Sequence, residues 1–206
     1  RANGQARLPS VPRPVASASR KGLGVPGGHR MIFTTVGNQL PFDRLVMAVD
    51  RWAELAGRTD CTAQIGKEGS VPVHQQWVRV MSATDYLERV AGAQVVIAHA
   101  GMGTVLSCRD KGVPVIVHPR FVEHGEVRSD HQRATAEALR GLDGVHVLDS
   151  LDQLGVTVER VLAERHAGEV PQSNTLPALQ GEVASWLDVS FGDALEDPGA
   201  GSRREP

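Results

Sequence analysis

The residues best suited to chemistry form one run, His99-Ala100-Gly101-Met102-Gly103-Thr104, directly after the apolar stretch Val95-Val96-Ile97-Ala98. A short β-branched run of that kind suits a buried parallel strand. The next residues, Val105 to Lys111, fit a helix closed by Gly112 and stopped by Pro114. Two glycines between a strand and a helix have a chemical use. A helix N-terminus presents unpaired N–H groups and partial positive charge, and glycine lets an anion approach the backbone. Thr104 could cap this helix or donate its hydroxyl to the same anion. The helix dipole supplies about 0.3–1 kcal/mol, and each hydrogen bond to a charged group about 1.5–3 kcal/mol. Two or three such bonds reach the roughly −5.5 kcal/mol of a sub-millimolar ligand, and a diphosphate fits. The same glycines would equally serve a tight βα turn made for packing alone.

His99, at the strand end, is a candidate catalytic base, because an imidazole beside a cleft titrates near neutrality. Its other use is to orient the glycine turn or contact phosphate. His124 and His131 stand near Glu123, Glu126 and Asp130, but the spacing matches no metal-ligand pattern. A polar, ligand-facing loop accounts for them, and no metal site is expected.

The elements that must hold these residues alternate. Met31 to Val36 reads as the first strand, Gly37-Asn38-Gln39 as a turn, and Pro41-Phe42-Asp43 as the entry to a helix. Asp43 suits that helix start, where negative charge is favoured. Leu45, Val46, Val49, Trp52 and Ala53 recur at helical spacing up to Gly57. Cys61 to Ile65 is a second strand, Pro72 to Gln76 a loop, and Trp77 to Met81 a third strand. Ser82 to Asp85 open a short helix ended by Gly92. After the glycine turn and its helix, Val113 to His118 is another strand. The polar loop from Arg120 to Ser129 leads to a helix starting near Asp130-His131-Gln132 and closed by Gly141. Val145 to Leu148 is the last strand, and Ser150 caps a final helix from Leu151 to about Arg165. Leu176 to Phe191 holds a possible amphipathic segment.

This alternation predicts an α/β domain: a Rossmann-like, mostly parallel sheet flanked by helices. Ligands of such sheets bind beyond the carboxyl ends of the strands, at a switch in strand order. Three polar turns fall there: Gly37–Gln39, His99–Thr104 and Arg120–Gln132. They are expected to converge on one cleft. The expected domain spans residues 31–168. Residues 1–30, rich in Arg, Pro, Gly and Ser, read as a disordered extension, and residues 169–206 as a tail. Nothing in residues 1–30 resembles a secretory signal, and a translation start at Met31 fits the pattern.

Composition narrows the function. A net charge of −2 provides no basic field, so nucleic acid is not an expected partner. No apolar run is long enough to span a membrane. Cys61 and Cys108 are isolated and read as buried, reduced thiols of a cytoplasmic protein. The dinucleotide fingerprint fails, because Leu106 stands where a third glycine belongs, and His118-Pro119 follow where an acidic residue would be. No phosphate-loop lysine motif occurs. NAD and ATP chemistry are therefore disfavoured.

The segments TVGNQLPFDRL, HAGMGT, KGVPVIVHPR and GEVRSDHQ, in that order, resemble the glycosyltransferase family 28 C-terminal domain over about Met31 to Leu154. The likeness is to small stand-alone members: the small subunit of bacterial exopolysaccharide glycosyltransferases and the catalytic subunit of the eukaryotic dolichol-linked UDP-GlcNAc transferase. The resemblance implies the donor-binding, C-terminal half of a GT-B enzyme. Gly101, Met102, Gly103 and Thr104 would hold the diphosphate of a UDP-sugar. Asp130, His131 and Gln132 match the segment that reaches donor sugar and ribose. Gly37, Asn38 and Gln39 lie on a first loop facing the same cleft, and Arg120 and Glu126 join the candidate UDP-sugar contacts. Several relatives place a ribose-binding Glu five residues before the glycine of the G-x-P turn. Here that position is Ser107, a weaker partner. The resemblance further implies a metal-independent hexosyltransferase without cofactor. A separate, membrane-associated partner subunit would present a lipid-linked saccharide acceptor, and this chain would sit peripherally at the inner face of the membrane. The rivals are a non-catalytic UDP-sugar-binding module, an epimerase of the UDP-sugar 2-epimerase type, which would need a second domain, and an oxidoreductase.

Overall fold

The computed structural model describes residues 31–37, 40–128 and 131–167. The expected extension at 1–30 and the amphipathic segment at 176–191 lie outside the described residues. Six strands form: β1 (Met31–Thr35), β2 (Cys61–Gln64), β3 (Gln76–Val78), β4 (Ala93–His99), β5 (Val115–His118) and β6 (Val145–Val147). The helices are α1 (Asp43–Leu55), α2 (Ala83–Gly92), α3 (Met102–Asp110), α4 (His131–Ala138) and α5 (Leu154–His166). The sheet order is β3-β2-β1-β4-β5-β6, and every pairing is parallel. The expected Rossmann-like α/β sheet is the one that forms.

Strand alternation divides the core in two. Ile32, Val95, Ile97 and Ile116 point to the face covered by α1 and α5. Phe33, Val96, Ala98, Val115 and Val117 point to the face covered by α2, α3 and α4. All nine are fully buried, and each large one contributes about 1.5–3 kcal/mol of transfer free energy. The amphipathic stripe of α1, Leu45, Val46, Val49 and Ala53, is buried as its spacing predicts, and Gly57 closes the helix at φ 62°. From β1 the chain moves outward to β2 and β3, then crosses back to β4. The reversal puts a crevice between the carboxyl ends of β1 and β4.

The crossover from β2 to β3 has no helix, so its backbone N–H groups need partners from elsewhere. Asp50 on α1 supplies them, accepting from the N–H of Val73 (3.0 Å), His74 (2.7 Å) and Gln75 (3.0 Å). Asp43 accepts from the Ser70 N–H at 3.0 Å and from its hydroxyl. Asp43 therefore stands in the first turn of α1, as expected, while its carboxylate also fastens this crossover.

Several boundaries differ from expectation. The helix after the glycine turn begins at Met102, not Val105, because the Gly101 carbonyl already accepts from Thr104 N–H (3.1 Å) and Val105 N–H (3.3 Å). Thr104 thus lies inside the first turn and caps nothing, and Gly101 is the capping position. The third strand is Gln76–Val78, one residue earlier at its start and short of Met81 at its end, and the last bond to β2 beyond it runs from the Gly66 N–H to the Arg79 carbonyl at 2.9 Å. Ser150 caps a 3-10 turn over Leu151–Gln153, and α5 proper starts at Leu154.

Candidate functional site

The crevice between β1 and β4 opens into a cleft of about 380 Å³. One wall is Thr35 and Gly37 at the end of β1, with Gln64 at the end of β2. The second is the predicted turn: His99, Gly101, Gly103 and Thr104. The third is Met81, Ser82, Ala83 and Tyr86 at the start of α2. Strand order brings the first two walls together, since β1 and β4 pair directly, Thr35 opposite Ala98.

His99 is wedged between two glycines. A Cβ on Gly101 would lie 2.2 Å from His99 Nε2, and one on Gly37 would lie 3.0 Å from Cε1. Gly37 also holds φ 73°, a conformation that disfavours any side chain. Burial drives the imidazole pKa down to about 4, and the nearby Arg120 charge adds to the effect. The Thr35 backbone pulls the other way, without closing a hydrogen bond of normal geometry to Nδ1, which is buried and unpartnered among the described residues. His99 is therefore neutral at pH 7. It fixes the spacing of the two glycine turns, and as a base it is weak.

The first turn of α3 is open. Its capping residue, Gly101, has no side chain to satisfy the free N–H groups. The N–H groups of Met102 and Gly103 have no backbone partner among the described residues. A Cβ on Gly103 would meet nothing within 4 Å, so this turn faces free space. Thr104 is buried beside it. Ser107, one turn on, donates its hydroxyl to the Gly103 carbonyl at 2.9 Å.

The described part of the third predicted loop is tied to Val36 and Leu40, on either side of the first loop, and to Arg44 on α1. Arg120 is 4% exposed. Its Nη2 donates to the carbonyls of Val36 (2.7 Å) and Leu40 (2.6 Å), and its guanidinium lies 5.2 Å from the Phe42 ring. Burial holds its pKa down to about 10, so it stays a cation at pH 7. Gln132 Oε1 accepts from the Arg120 N–H at 3.0 Å. Glu126 binds Arg44 in a two-point ion pair, 2.9 Å on each side, and accepts from the Phe121 N–H at 3.0 Å. Burial would raise the Glu126 carboxyl, but the bonds from Arg44 and Phe121 outweigh it and leave the pKa below the usual value. Arg44 also donates to His118 Nε2 (3.0 Å), so His118 carries its proton on Nδ1, bonded to the Leu148 carbonyl (2.9 Å). His131 is exposed at the start of α4. Asn38, Gln39 and Asp130 lie outside the described residues. Among the described residues no three His, Cys, Asp or Glu side chains group as a metal site.

Thr35, Gln64, Met81, Ser82, Ala83 and Tyr86 were not legible as cleft residues. Ser82 carried a usable signal: it caps α2, accepting from the Asp85 N–H at 3.1 Å, and a helix start marks the carboxyl end of the preceding strand. What was missing was the strand order that lays α2 beside β1 and α3.

No curated protein matches the sequence at a significant level. Among solved structures the chain is similar to the glycotransferase of kitacinnamycin, at 20% identity and a TM-score of 0.52, over 85% of this chain and 44% of that one. It is similar to CalG4, the calicheamicin glycosyltransferase, at 18% identity and a TM-score of 0.52, over 84% of this chain and 46% of that one. It is also similar to ALG13, at 16% identity and a TM-score of 0.51, over 75% of this chain and 96% of that one. These identities establish the fold alone. The chain spans less than half the length of the first two structures. The model of the glycosyltransferase family 28 C-terminal domain matches residues 31–175. With that match over most of its length, the chain belongs to the glycosyltransferase family 28 C-terminal domain family.

Proposed function

We propose that this chain is the donor-binding, catalytic subunit of a UDP-sugar-dependent hexosyltransferase. The observation that carries the reading is the open first turn of α3 at the β1–β4 switch, in a domain of this family. The donor diphosphate sits on the N–H groups of Met102 and Gly103, with the Thr104 hydroxyl beside it. When a sugar hydroxyl attacks the anomeric carbon, the bond to the β-phosphate oxygen breaks and charge develops on departing UDP. Those N–H groups and the α3 dipole stabilise it, with no metal or cofactor required. Asn38, Gln39, Asp130, His131 and Gln132 are the proposed sugar- and ribose-side contacts. Arg120, Glu126 and His99 act by holding the loops in place.

Among the described cleft residues no carboxylate is present to take the acceptor proton, and His99 is a weak base. A membrane-associated partner subunit presents a lipid-linked saccharide at the cytoplasmic face, and either that partner or the sugar-side segment Asp130–Gln132 supplies the general base. The same observation favours a second reading, a UDP-sugar-binding module without activity of its own. Amide NMR titration of the full chain with UDP, UDP-sugars and NADH tests donor binding. Saturable shifts at Gly101 and Gly103 with UDP, and none with NADH, are expected; no UDP response in a folded sample refutes the assignment. Transfer assays with a co-expressed partner then separate the two readings, since only the catalytic one gives turnover, insensitive to EDTA.

A further inference from the structure

Arg44, in the first turn of α1, has all three of its side-chain nitrogens committed. Nε and Nη2 donate to the two oxygens of Glu126 at 2.9 Å, and Nη1 donates to His118 Nε2 at 3.0 Å. A planar guanidinium makes such a grip, and a point-charge ammonium does not. What it grips is a loop with little regular structure of its own. Between Phe121 and Arg128 there is one 3-10 turn, Val122–His124, ended by Gly125 at φ 67°. The turn closes through Glu126, whose N–H donates to the Phe121 carbonyl (3.2 Å) and whose carboxylate accepts from the Phe121 N–H (3.0 Å). The grip then continues to the start of α4. The preceding N–H, that of Arg120, donates to Gln132 Oε1 at 3.0 Å. Two consecutive N–H groups are thus held by two side chains, Glu126 and Gln132, which fixes the backbone between them. The Phe121 ring makes a second link: the guanidinium of Arg44 lies 5.2 Å from its centroid, and so does that of Arg133, the residue after Gln132. The hydrogen bond to Oε1 settles which end of the Gln132 amide is which, and its NH2 is the donor end.

We propose that Arg44 is a positioning residue: through Glu126 and the Phe121–Arg120 backbone it sets Gln132, whose NH2 donates to a hydroxyl on the ribose or hexose of the donor. Arg44 is not among the described cleft-wall residues and acts only through these bonds. The proposal rests on the reading of Gln132 as a sugar- or ribose-side contact. It assigns Arg44 no part in holding the diphosphate, which stays with the first turn of α3.

Amide NMR titration of the full chain, read at Gly103, gives affinities for inorganic pyrophosphate, UDP, UDP-glucose and UDP-N-acetylglucosamine. Arg44→Gln is expected to bind pyrophosphate like the wild type. It is expected to lose about fivefold, the equivalent of one ordinary hydrogen bond, for UDP if the hydroxyl is on ribose and for the UDP-sugars alone if it is on the hexose. Arg44→Lys keeps the charge without the grip; it should show the same selective loss, and it carries the test if Arg44→Gln does not fold. In a Gln132→Ala background Arg44→Lys should change nothing further, because its effect passes through Gln132. A loss shared equally with pyrophosphate, no loss for any ligand, or a loss undiminished in the Gln132→Ala background overturns the proposal and leaves Arg44 a structural clamp. If Gln132→Ala itself binds UDP and both UDP-sugars like the wild type, the reading of Gln132 as a contact fails and the proposal falls with it. A folded wild-type chain that answers none of the four ligands refutes donor binding as a whole.

Discussion

Gly101→Ala isolates the wedge at His99. Gly101 has φ −107° and ψ 123°, which any residue adopts, so backbone strain is not at issue. The added methyl would sit 2.2 Å from His99 Nε2 and 2.9 Å from both adjacent ring carbons. The ring cannot retreat freely, because Gly37 lies close to its Cε1 and the ring is buried. Overpacking of this kind costs about 1–3 kcal/mol. Taking about 2 kcal/mol, the folding equilibrium falls roughly 30-fold. Gly103→Ala is the control: its methyl meets nothing, and Ala is better than Gly in a helix by up to about 1 kcal/mol. Urea denaturation should find Gly101→Ala destabilised by about 2 kcal/mol and Gly103→Ala neutral or slightly stabilised. UDP titration should find both weakened, Gly101→Ala by a displaced turn and Gly103→Ala by a methyl in the anion's path. The double variant Gly101→Ala/His99→Ala should regain stability relative to the sum of its parts. A Gly101→Ala protein as stable as the wild type, or a strictly additive double variant, would refute the wedge.

Arg120→Met leaves the Val36 and Leu40 carbonyls without their donor and should cost about 2–3 kcal/mol, read by urea denaturation, with faster hydrogen exchange at Gly37. Asp50→Ala strips three N–H groups of their acceptor and should cost about 3 kcal/mol, loosening the β2–β3 crossover first in exchange experiments. Stability should also fall on acidification. The folded pKa of His99 lies near 4, below its ordinary 6.5, so the unfolded chain binds the extra proton between those values. Stability is full above pH 6.5 and is lost as pH falls towards 4, by about 2–3 kcal/mol from this residue. His118 shifts in the same direction. Melting temperatures across that range should decline less steeply for His99→Gln, and an unchanged slope would count against a buried neutral imidazole.

Much of the scaffold was legible because its signals are local. The central strands β4 and β5 announced themselves by β-branched runs, and Gly57, Gly66, Gly112 and Gly141 stop their elements with positive φ. The glycine turn was legible for the same reason. Its helix was placed three residues late, because a bare Gly101 cap leaves no side-chain signature. The third loop was harder. Arg120 and Glu126 carry charges suited to a ligand, and only the tertiary structure reveals that Val36, Leu40 and Arg44 occupy them. Tyr86 and Gln64 join the cleft through strand order, which no local pattern encodes. The β2–β3 crossover escaped notice likewise, since its stability depends on a carboxylate more than twenty residues away, Asp50 with Val73.

Arg120 has a consequence at long range. Its guanidinium is bound to neutral carbonyls, and Glu126, the carboxylate that acts on it among the described residues, is paired with Arg44. A net positive charge therefore lies beneath the first loop, and its field already reaches His99. Mobile ions screen exposed charges within about 10 Å at ordinary salt but penetrate poorly to a buried one. The attraction this cation exerts on a phosphate is thus part of the scaffold and resists changes in ionic strength. A cleft whose described wall holds no lysine or arginine can still present a standing positive potential to an incoming anion.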